Sequence, residues 1–114
     1  MKPAMDPQRP SKPIFSSYAA DPELEAQIAA FVIQMGERID LLQDVEAEGD
    51  LALLRDLSEK FAADSRELGY EPLTEAAGRV VAACLERSPE GAHKHLADLT
   101  EISQGVRRGH SSSA

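Results

Sequence analysis

The stretch LALLRDLSEKFAADSRELGY, residues 51–70, decides the fold of this chain. Its large apolar residues recur at intervals that place them on one face of a helix, and these are Leu54, Leu57, Phe61 and Leu68. Gly69 follows as a natural helix stop in the left-handed conformation, and the Gly49-Asp50 step ends one helix and caps the next. The stretch therefore predicts an amphipathic helix whose apolar face must be covered by other helices.

A second long helix precedes this stretch. We expect it to begin at Asp21-Pro22, because Asp is a favoured N-cap and Pro is favoured at the first helical position. Apolar residues then form one stripe at helical spacing: Leu24, Ile28, Phe31, Val32, Met35, Ile39 and Leu42. Gly36 lies inside this run, where it would allow a kink into two helices.

Two further helices follow residue 70. Pro72 begins the third helix, and Ser88-Pro89-Glu90 is a cap signal for the fourth. Short linkers between such helices favour antiparallel neighbours. We therefore predict an all-α fold, an antiparallel up-down four-helix bundle whose N-terminal helical segment is short or kinked. The residues expected to be buried along its seam are Ile28, Phe31, Met35, Ile39, Leu54, Leu57, Phe61, Val80 and Leu99.

The two ends of the chain differ from this central pattern. Residues 1–13 contain four prolines and no apolar periodicity, which predicts a disordered leader. The bundle is expected over residues 14–108, with Ile14, Phe15 and Tyr18 packing across one of its ends. The polar residues 109–114 are expected to form a disordered tail.

Composition excludes several classes of function. The net charge of −8 argues against a nucleic-acid binder and against an anionic membrane surface, because both need a basic face. No apolar run approaches the roughly 20 residues of a membrane span. Cys84 is the single cysteine, so the chain can form neither an internal disulfide nor a multi-cysteine metal site. We expect a cytoplasmic protein.

The order of several short motifs resembles the histidine phosphotransfer (HPt) domains of bacterial phosphorelays. The resemblance covers roughly residues 14–108, and it is carried by Pro-Ile-Phe-Ser (13–16), Asp21-Pro-Glu-Leu, Phe31-Val-x-x-Met-x-x-Arg-Ile39, Leu68-Gly69-Tyr70 and Leu73-Thr-Glu-Ala-Ala77. It implies a four-helix bundle in which the middle of the second long helix presents a phosphoryl-accepting histidine to solvent. The implied partner is the receiver domain of a response regulator.

The chain departs from the family at the acceptor itself. The family motif His-x-x-Lys-Gly falls on Glu59, Ala62 and Ala63. Glu59 points about 160° away from Phe61 by helical geometry, so it should be exposed. The resemblance thus implies a degenerate member, because a carboxylate cannot form the phosphoramidate of a phospho-histidine relay. Acyl phosphates form on Asp in receiver domains, which use a metal-binding acidic cluster that this helical pattern lacks. The implied receiver-contact face comprises Arg55, Asp56, Glu59, Ala62, Ala63 and Arg66.

Other chemistry-bearing residues have simpler interpretations. His93 and His95 diverge by about 200° on a helix, so they cannot share one metal ion, and His110 lies in the predicted tail. Cys84 on an apolar face is expected to act as a small core residue. The outward face of the second long helix also fits an ordinary solvated surface, on which Arg55 and Glu59 would form a weak i,i+4 pair. We predict no metal and no cofactor.

Three functions fit the sequence. The first is a receiver-binding module that is not an enzyme and carries no phosphate. The second is an active phosphotransfer protein with an unusual acceptor, and the third is a helical scaffold or assembly protein unrelated to phosphorelays. The sequence leaves open the oligomeric state and the identity of the receiver or kinase that the chain would meet.

Overall fold

Four α-helices make up the structure, a computed structural model that describes residues 13–112, with side chains described through His110. They are α1 (Glu25–Ala47), α2 (Leu51–Glu67), α3 (Glu71–Leu85) and α4 (Pro89–Ser112). Connections of three residues join each helix to the next, so consecutive helices run antiparallel. Contacts join α1 to α2, α2 to α3, α3 to α4 and α4 to α1. The predicted all-α four-helix bundle is confirmed. In the described range no helix is both long enough and apolar enough to cross a membrane.

Short polar residues cap the starts of two helices, and glycines follow the ends of two. Asp50 caps α2, because its Oδ1 accepts a hydrogen bond from the Leu53 backbone N–H at 3.0 Å. Ser88 caps α4 in the same way, accepting from the Gly91 N–H at 3.0 Å. Gly49 and Gly69 have φ of 79° and 80°, a conformation that glycine adopts without the steric penalty of a Cβ. The predicted caps of α2 and α4 and the predicted stop of α2 at Gly69 are therefore confirmed.

The predicted start of α1 at Asp21-Pro22 is wrong. Asp21 instead closes a turn: its Oδ1 accepts from the Glu23 N–H at 2.9 Å, and its carbonyl accepts from the Leu24 N–H at 3.1 Å. The regular helix begins at Glu25 with no side-chain cap. From there α1 runs without interruption through Gly36, which lies against the guanidinium of Arg107 on α4. The small residue thus serves a close contact between helices and does not divide α1.

The predicted tail at residues 109–114 is wrong for residues 109–112, which continue α4. Residues 13–20, here called the entry segment, explain this extension. The Ile14 N–H donates to the Gly105 carbonyl at 2.9 Å, and Gly109 is buried where any side chain would collide with the Ile14 backbone. The predicted leader at residues 1–13 lies outside the described residues, apart from Pro13.

The entry segment crosses one end of the bundle at the α2–α3 turn. The Ser16 hydroxyl donates to the Leu68 carbonyl, and the Ser17 N–H donates to the Gly69 carbonyl at 2.9 Å. Ile14 packs against the core as predicted, but Phe15 and Tyr18 are exposed. The segment is therefore held mainly by hydrogen bonds to backbone carbonyls and only partly by apolar packing.

The core follows the predicted seam with one exception. Eight of the nine seam residues are buried: Ile28, Phe31, Met35, Ile39, Leu54, Phe61, Val80 and Leu99. The prediction that Leu57 is buried is wrong, because this residue is half-buried at the edge of the groove between α1 and α2. The ring of Phe31 contacts those of Phe61 and Tyr70, with centroid distances of 5.5 Å and 5.9 Å. These three rings join α1, α2 and the α2–α3 turn.

Candidate docking site on α2

The candidate site is the outward surface of α2, here called the α2 face: Arg55, Asp56, Glu59, Ala62, Ala63 and Arg66. Glu59 and Ala63 are both exposed, as the helical periodicity predicts, and Asp56 and Arg66 are exposed beside them. Arg55 and Ala62 are half-buried, because they lie at the edge of the face that packs toward α3. The structure thus places all six residues on one side of one helix.

A hydrogen-bonded contact between α2 and α3 supports the α2 face from below. The Ser65 and Thr74 hydroxyls lie 2.8 Å apart, Ser65 donates to the Ala62 carbonyl at 3.0 Å, and Thr74 donates to the Tyr70 carbonyl at 3.1 Å. These bonds fix the register of the two helices directly beneath Ala62. The α2 face therefore belongs to a rigid helix pair, which favours docking of a preformed surface.

Residues with small side chains lie next to Glu59 on α2. Ala63 follows Glu59 by one helix turn, and Ala62 borders it on the α3 side. On α3, Gly78 lies one turn beyond Thr74, and a Cβ added there would meet no atom within 4 Å. Small side chains therefore border Glu59 on the side toward Ala62 and Ala63, where a partner can approach α2 closely.

The cationic side chains beside Glu59 are engaged elsewhere. Arg55 pairs with Asp56, with 3.2 Å between Nη2 and Oδ1, so the expected Arg55–Glu59 pair is wrong. Lys60 lines the groove between α1 and α2, and its Nζ lies 3.6 Å from Oδ2 of Asp64, which is also on α2. Among the described residues, Glu59 has no ion-pair partner. Its carboxylate is thus exposed and uncompensated.

A second set of charges secures the opposite edge of α2 to α1. The Arg38 Nη1 lies 3.0 Å from Asp64 Oδ2, and its guanidinium lies 4.9 Å from the Phe61 ring centroid and 5.8 Å from that of Phe31. Cations over aromatic faces are attracted by the ring quadrupole. Arg38 therefore covers the aromatic part of the core, and this side of α2 serves packing.

The sequence did not indicate two features that extend the site toward α3. Leu85, at the end of α3, is 60% exposed and lines an open depression with Ala52 and Arg55. Arg66, at the other end of the α2 face, lines a polar depression with Ser17 and Glu71. Leu85 does not lie on the apolar face of α3. An apolar residue outside the face that packs in the core is the sequence signal that would have indicated a surface contact.

The remaining candidate residues do not join the α2 face. Cys84 is buried, and burial raises the pKa of its thiol although nearby Arg55 acts in the opposite direction. Both histidines that the sequence singled out lie on α4: His93 Nδ1 is 3.2 Å from both Glu46 carboxylate oxygens, and the half-buried His95 is 3.9 Å from Asp98. In residues 13–112 no three His, Cys, Asp or Glu side chains converge as metal ligands.

Comparison with known proteins adds no relative. No protein-family model, no curated protein and no solved structure matches this chain. Function is therefore argued from the sequence motifs and from the geometry of the α2 face.

Proposed function

We propose that this chain is an HPt-like signalling module that binds the receiver domain of a response regulator in the cytoplasm and carries no phosphate itself. The observation that carries the proposal is the exposure of Glu59 and Ala63 on one face of the central helix. Those are the positions at which the HPt motif would present its histidine and its small residue. This exposure supports a counterpart of the family's docking surface that lacks the family's nucleophile.

The shape of the α2 face supports binding. A receiver must bring its acceptor pocket against the centre of a helix, which requires short side chains around the projecting group. Ala62 and Ala63 meet this requirement, and the Ser65–Thr74 contact holds the helix pair in place. Exposed Leu85 adds apolar surface next to the α2 face, and covering apolar surface favours association.

The chemistry at position 59 argues against phosphotransfer. A phospho-histidine relay needs an imidazole nitrogen as nucleophile, and Glu59 offers only carboxylate oxygens. Acyl phosphates form where metal ions offset the charge of the attacking carboxylate. Glu59 has no neighbouring acidic ligand set of this kind in the described part of the chain. The chain is therefore proposed to bind without catalysing a reaction.

A binding titration tests the proposal directly. The full chain is titrated by calorimetry against purified receiver domains from the same organism. Ala63→Trp should weaken binding about tenfold or more, because the indole would hold the partner away from the α2 face. Ala97→Trp is the matched control: Ala97 is also exposed but lies on α4, and its replacement should leave the affinity unchanged. Absence of binding to every receiver would contradict the proposal, and so would equal effects of the two substitutions.

A scaffold role is the second candidate, and one observation favours it. Ile33, in the middle of α1, is 76% exposed, and contact with another helical chain through α1 would remove this apolar side chain from water. Sedimentation equilibrium over a wide concentration range tests the self-associating form of this role. A monomer at all concentrations would exclude self-assembly through α1.

A further inference from the structure

The three turns between consecutive helices share one backbone structure. In each turn, the residue after the helix C-cap donates its N–H to the carbonyl three residues earlier, and the next residue donates to the carbonyl five residues earlier, with N···O distances of 2.9–3.3 Å. This pair of bonds defines a Schellman motif, which needs a left-handed residue after the C-cap. That residue is Gly49 in the first turn and Gly69 in the second, but it is Arg87, with φ of 56°, in the third.

Arg87 thus stands at a position where glycine is the favoured residue. A left-handed conformation costs free energy in any residue that carries a Cβ. The Arg87 side chain does not offset this cost inside the protein, because it is exposed and makes no ion pair or side-chain hydrogen bond with any described residue. An unfavourable backbone conformation of this kind points to a use of the side chain in function.

The Arg87 side chain lines an open depression of about 410 Å³ between the start of α2 and the end of α3. Arg55 lines the same depression, and its Nε is buried without a hydrogen-bond partner in the described structure. An unsatisfied buried donor is unfavourable, so the protein alone does not fully stabilise this guanidinium. The other side chains of the depression are mainly apolar: Leu51, Ala52, Cys84 and Leu85.

We propose that this depression is a binding site for an aliphatic carboxylate, whose charged group lies between Arg55 and Arg87 and whose alkyl part covers Leu51 and Leu85. Guanidinium groups donate paired hydrogen bonds to carboxylate oxygens. The apolar side chains of the depression would gain from contact with the alkyl part, because that contact removes them from water.

The charge of the site matches a monoanion. Asp56 Oδ1 lies 3.2 Å from Arg55 Nη2 and offsets one of the two positive charges. Glu86, the carboxylate next to Arg87 in the sequence, does not line the depression. One positive charge therefore remains for a ligand, on a chain whose net charge of −8 otherwise repels anions.

Binding at this depression does not require a receiver on the α2 face, so the full chain is tested alone. The probe is hexanoate, added to the isotope-labelled chain and followed by two-dimensional NMR. Saturable shifts are expected for the amides of Ala52, Leu85 and Arg87. Acetate, which lacks most of the alkyl part, should bind about tenfold or more weakly, and hexylammonium, which reverses the charge, should leave these amides unshifted.

Arg87→Gly separates a ligand-binding role from a structural role. Glycine suits the left-handed backbone, so this variant should unfold at a higher urea concentration than the unmodified chain, yet bind hexanoate about tenfold or more weakly. Arg55→Gln should weaken hexanoate binding in the same way. Arg79→Gln removes one positive charge at an exposed position of α3 that does not line the depression, and it should bind hexanoate as the unmodified chain does.

Several results would overturn the proposal: no saturable shift with hexanoate, equal shifts with hexylammonium, or hexanoate binding by Arg87→Gly that is as tight as that of the unmodified chain. An Arg87→Gly variant less stable than the unmodified chain would also overturn it, because the arginine would then serve the fold itself. The blocked dipeptide acetyl-Leu-Glu-amide distinguishes two sources of the carboxylate. Tighter binding of the dipeptide than of hexanoate would support a protein side chain as the ligand, and the reverse order would support a small free acid.

Discussion

Replacing Phe61 with alanine is the most severe test of the packing described above. Phe61 is 1% exposed, its ring centroid lies 5.5 Å from that of Phe31, and the guanidinium of Arg38 lies 4.9 Å above it. Truncating a buried Phe to Ala costs about 3–5 kcal/mol through lost burial and the cavity left behind. The ring pair contributes about 1 kcal/mol and the cation–π contact about 0.5–1 kcal/mol, which places Phe61→Ala at the upper end, about 4–5 kcal/mol.

A loss of that size is a large part of the roughly 5–15 kcal/mol by which small domains are stable. The assay is equilibrium urea unfolding, followed by far-UV circular dichroism. Phe61→Leu, which keeps most of the apolar volume, should cost about 1–2 kcal/mol and remain measurable if the alanine variant does not fold. A loss below about 1 kcal/mol for Phe61→Ala would refute the assignment of this ring to the centre of the core.

Two other positions on α2 serve as controls for the same measurement. Leu53 is 41% exposed, so Leu53→Ala should cost less than about 1 kcal/mol. Ser58 is fully buried, and its hydroxyl has no hydrogen-bond partner within the described structure. Ser58→Ala should therefore stabilise the fold by about 1 kcal/mol, because an unsatisfied buried hydroxyl is unfavourable and alanine is the better helix former. Destabilisation by Ser58→Ala would show that the hydroxyl makes a bond in solution.

Further predictions concern the turns and the acceptor position. Gly49→Ala should cost about 1 kcal/mol for its left-handed backbone alone. Gly69→Ala should cost about 1–3 kcal/mol more, because its Cβ would lie 2.9 Å from the hydroxyl of buried Ser16, which is held by its hydrogen bond to the Leu68 carbonyl; equal urea midpoints for the two variants would contradict this. Glu59→His alone should accept little phosphoryl group from a phosphorylated receiver, whereas adding Ala62→Lys and Ala63→Gly should increase transfer, although the glycine costs about 1 kcal/mol of stability. The measurement compares, on gels, the amount of radioactive phosphoryl group that each variant acquires. Efficient labelling of Glu59→His alone would refute this prediction.

The sequence predicts most of the core because apolar spacing determines which face of a helix can be buried. The same spacing correctly predicts that Glu59 and Ala63 lie in solvent. It fails at Leu57, since periodicity specifies the inward side of α2 and not how closely α1 approaches it. The opening between α1 and α2 that leaves Leu57 half-buried is a property of the assembled bundle.

The errors at the ends of α1 and α4 have different causes. Asp21-Pro22 is a good local helix start, and Gly109 is a poor helix residue, so local propensity favours both predictions. In the structure, Asp21 is used in a turn, and Gly109 is retained in α4 because its missing side chain lets Ile14 pack against the helix. At Gly109, a contact between residues far apart in the chain overrides local propensity, and a single sequence does not display that contact.

Charge pairing on the α2 face is equally hard to predict. Helical spacing allows Arg55 to reach Glu59, but the structure pairs it with the adjacent Asp56. Surface ion pairs differ by only a few tenths of a kcal/mol, so spacing alone does not choose between them. Leu85 lies beside Arg55 only because α3 packs against α2.

A chain that docks on a receiver domain without carrying the phosphoryl group should compete with an active HPt protein for that receiver. A competition assay measures both parts at once: the chain is added in increasing amounts to a histidine-containing HPt protein that is exchanging a radioactive phosphoryl group with its receiver. We predict that transfer slows as the chain is added, while the chain itself acquires no label. A labelled chain, or transfer that continues at the same rate in a large excess of the chain over every receiver tested, would contradict the account.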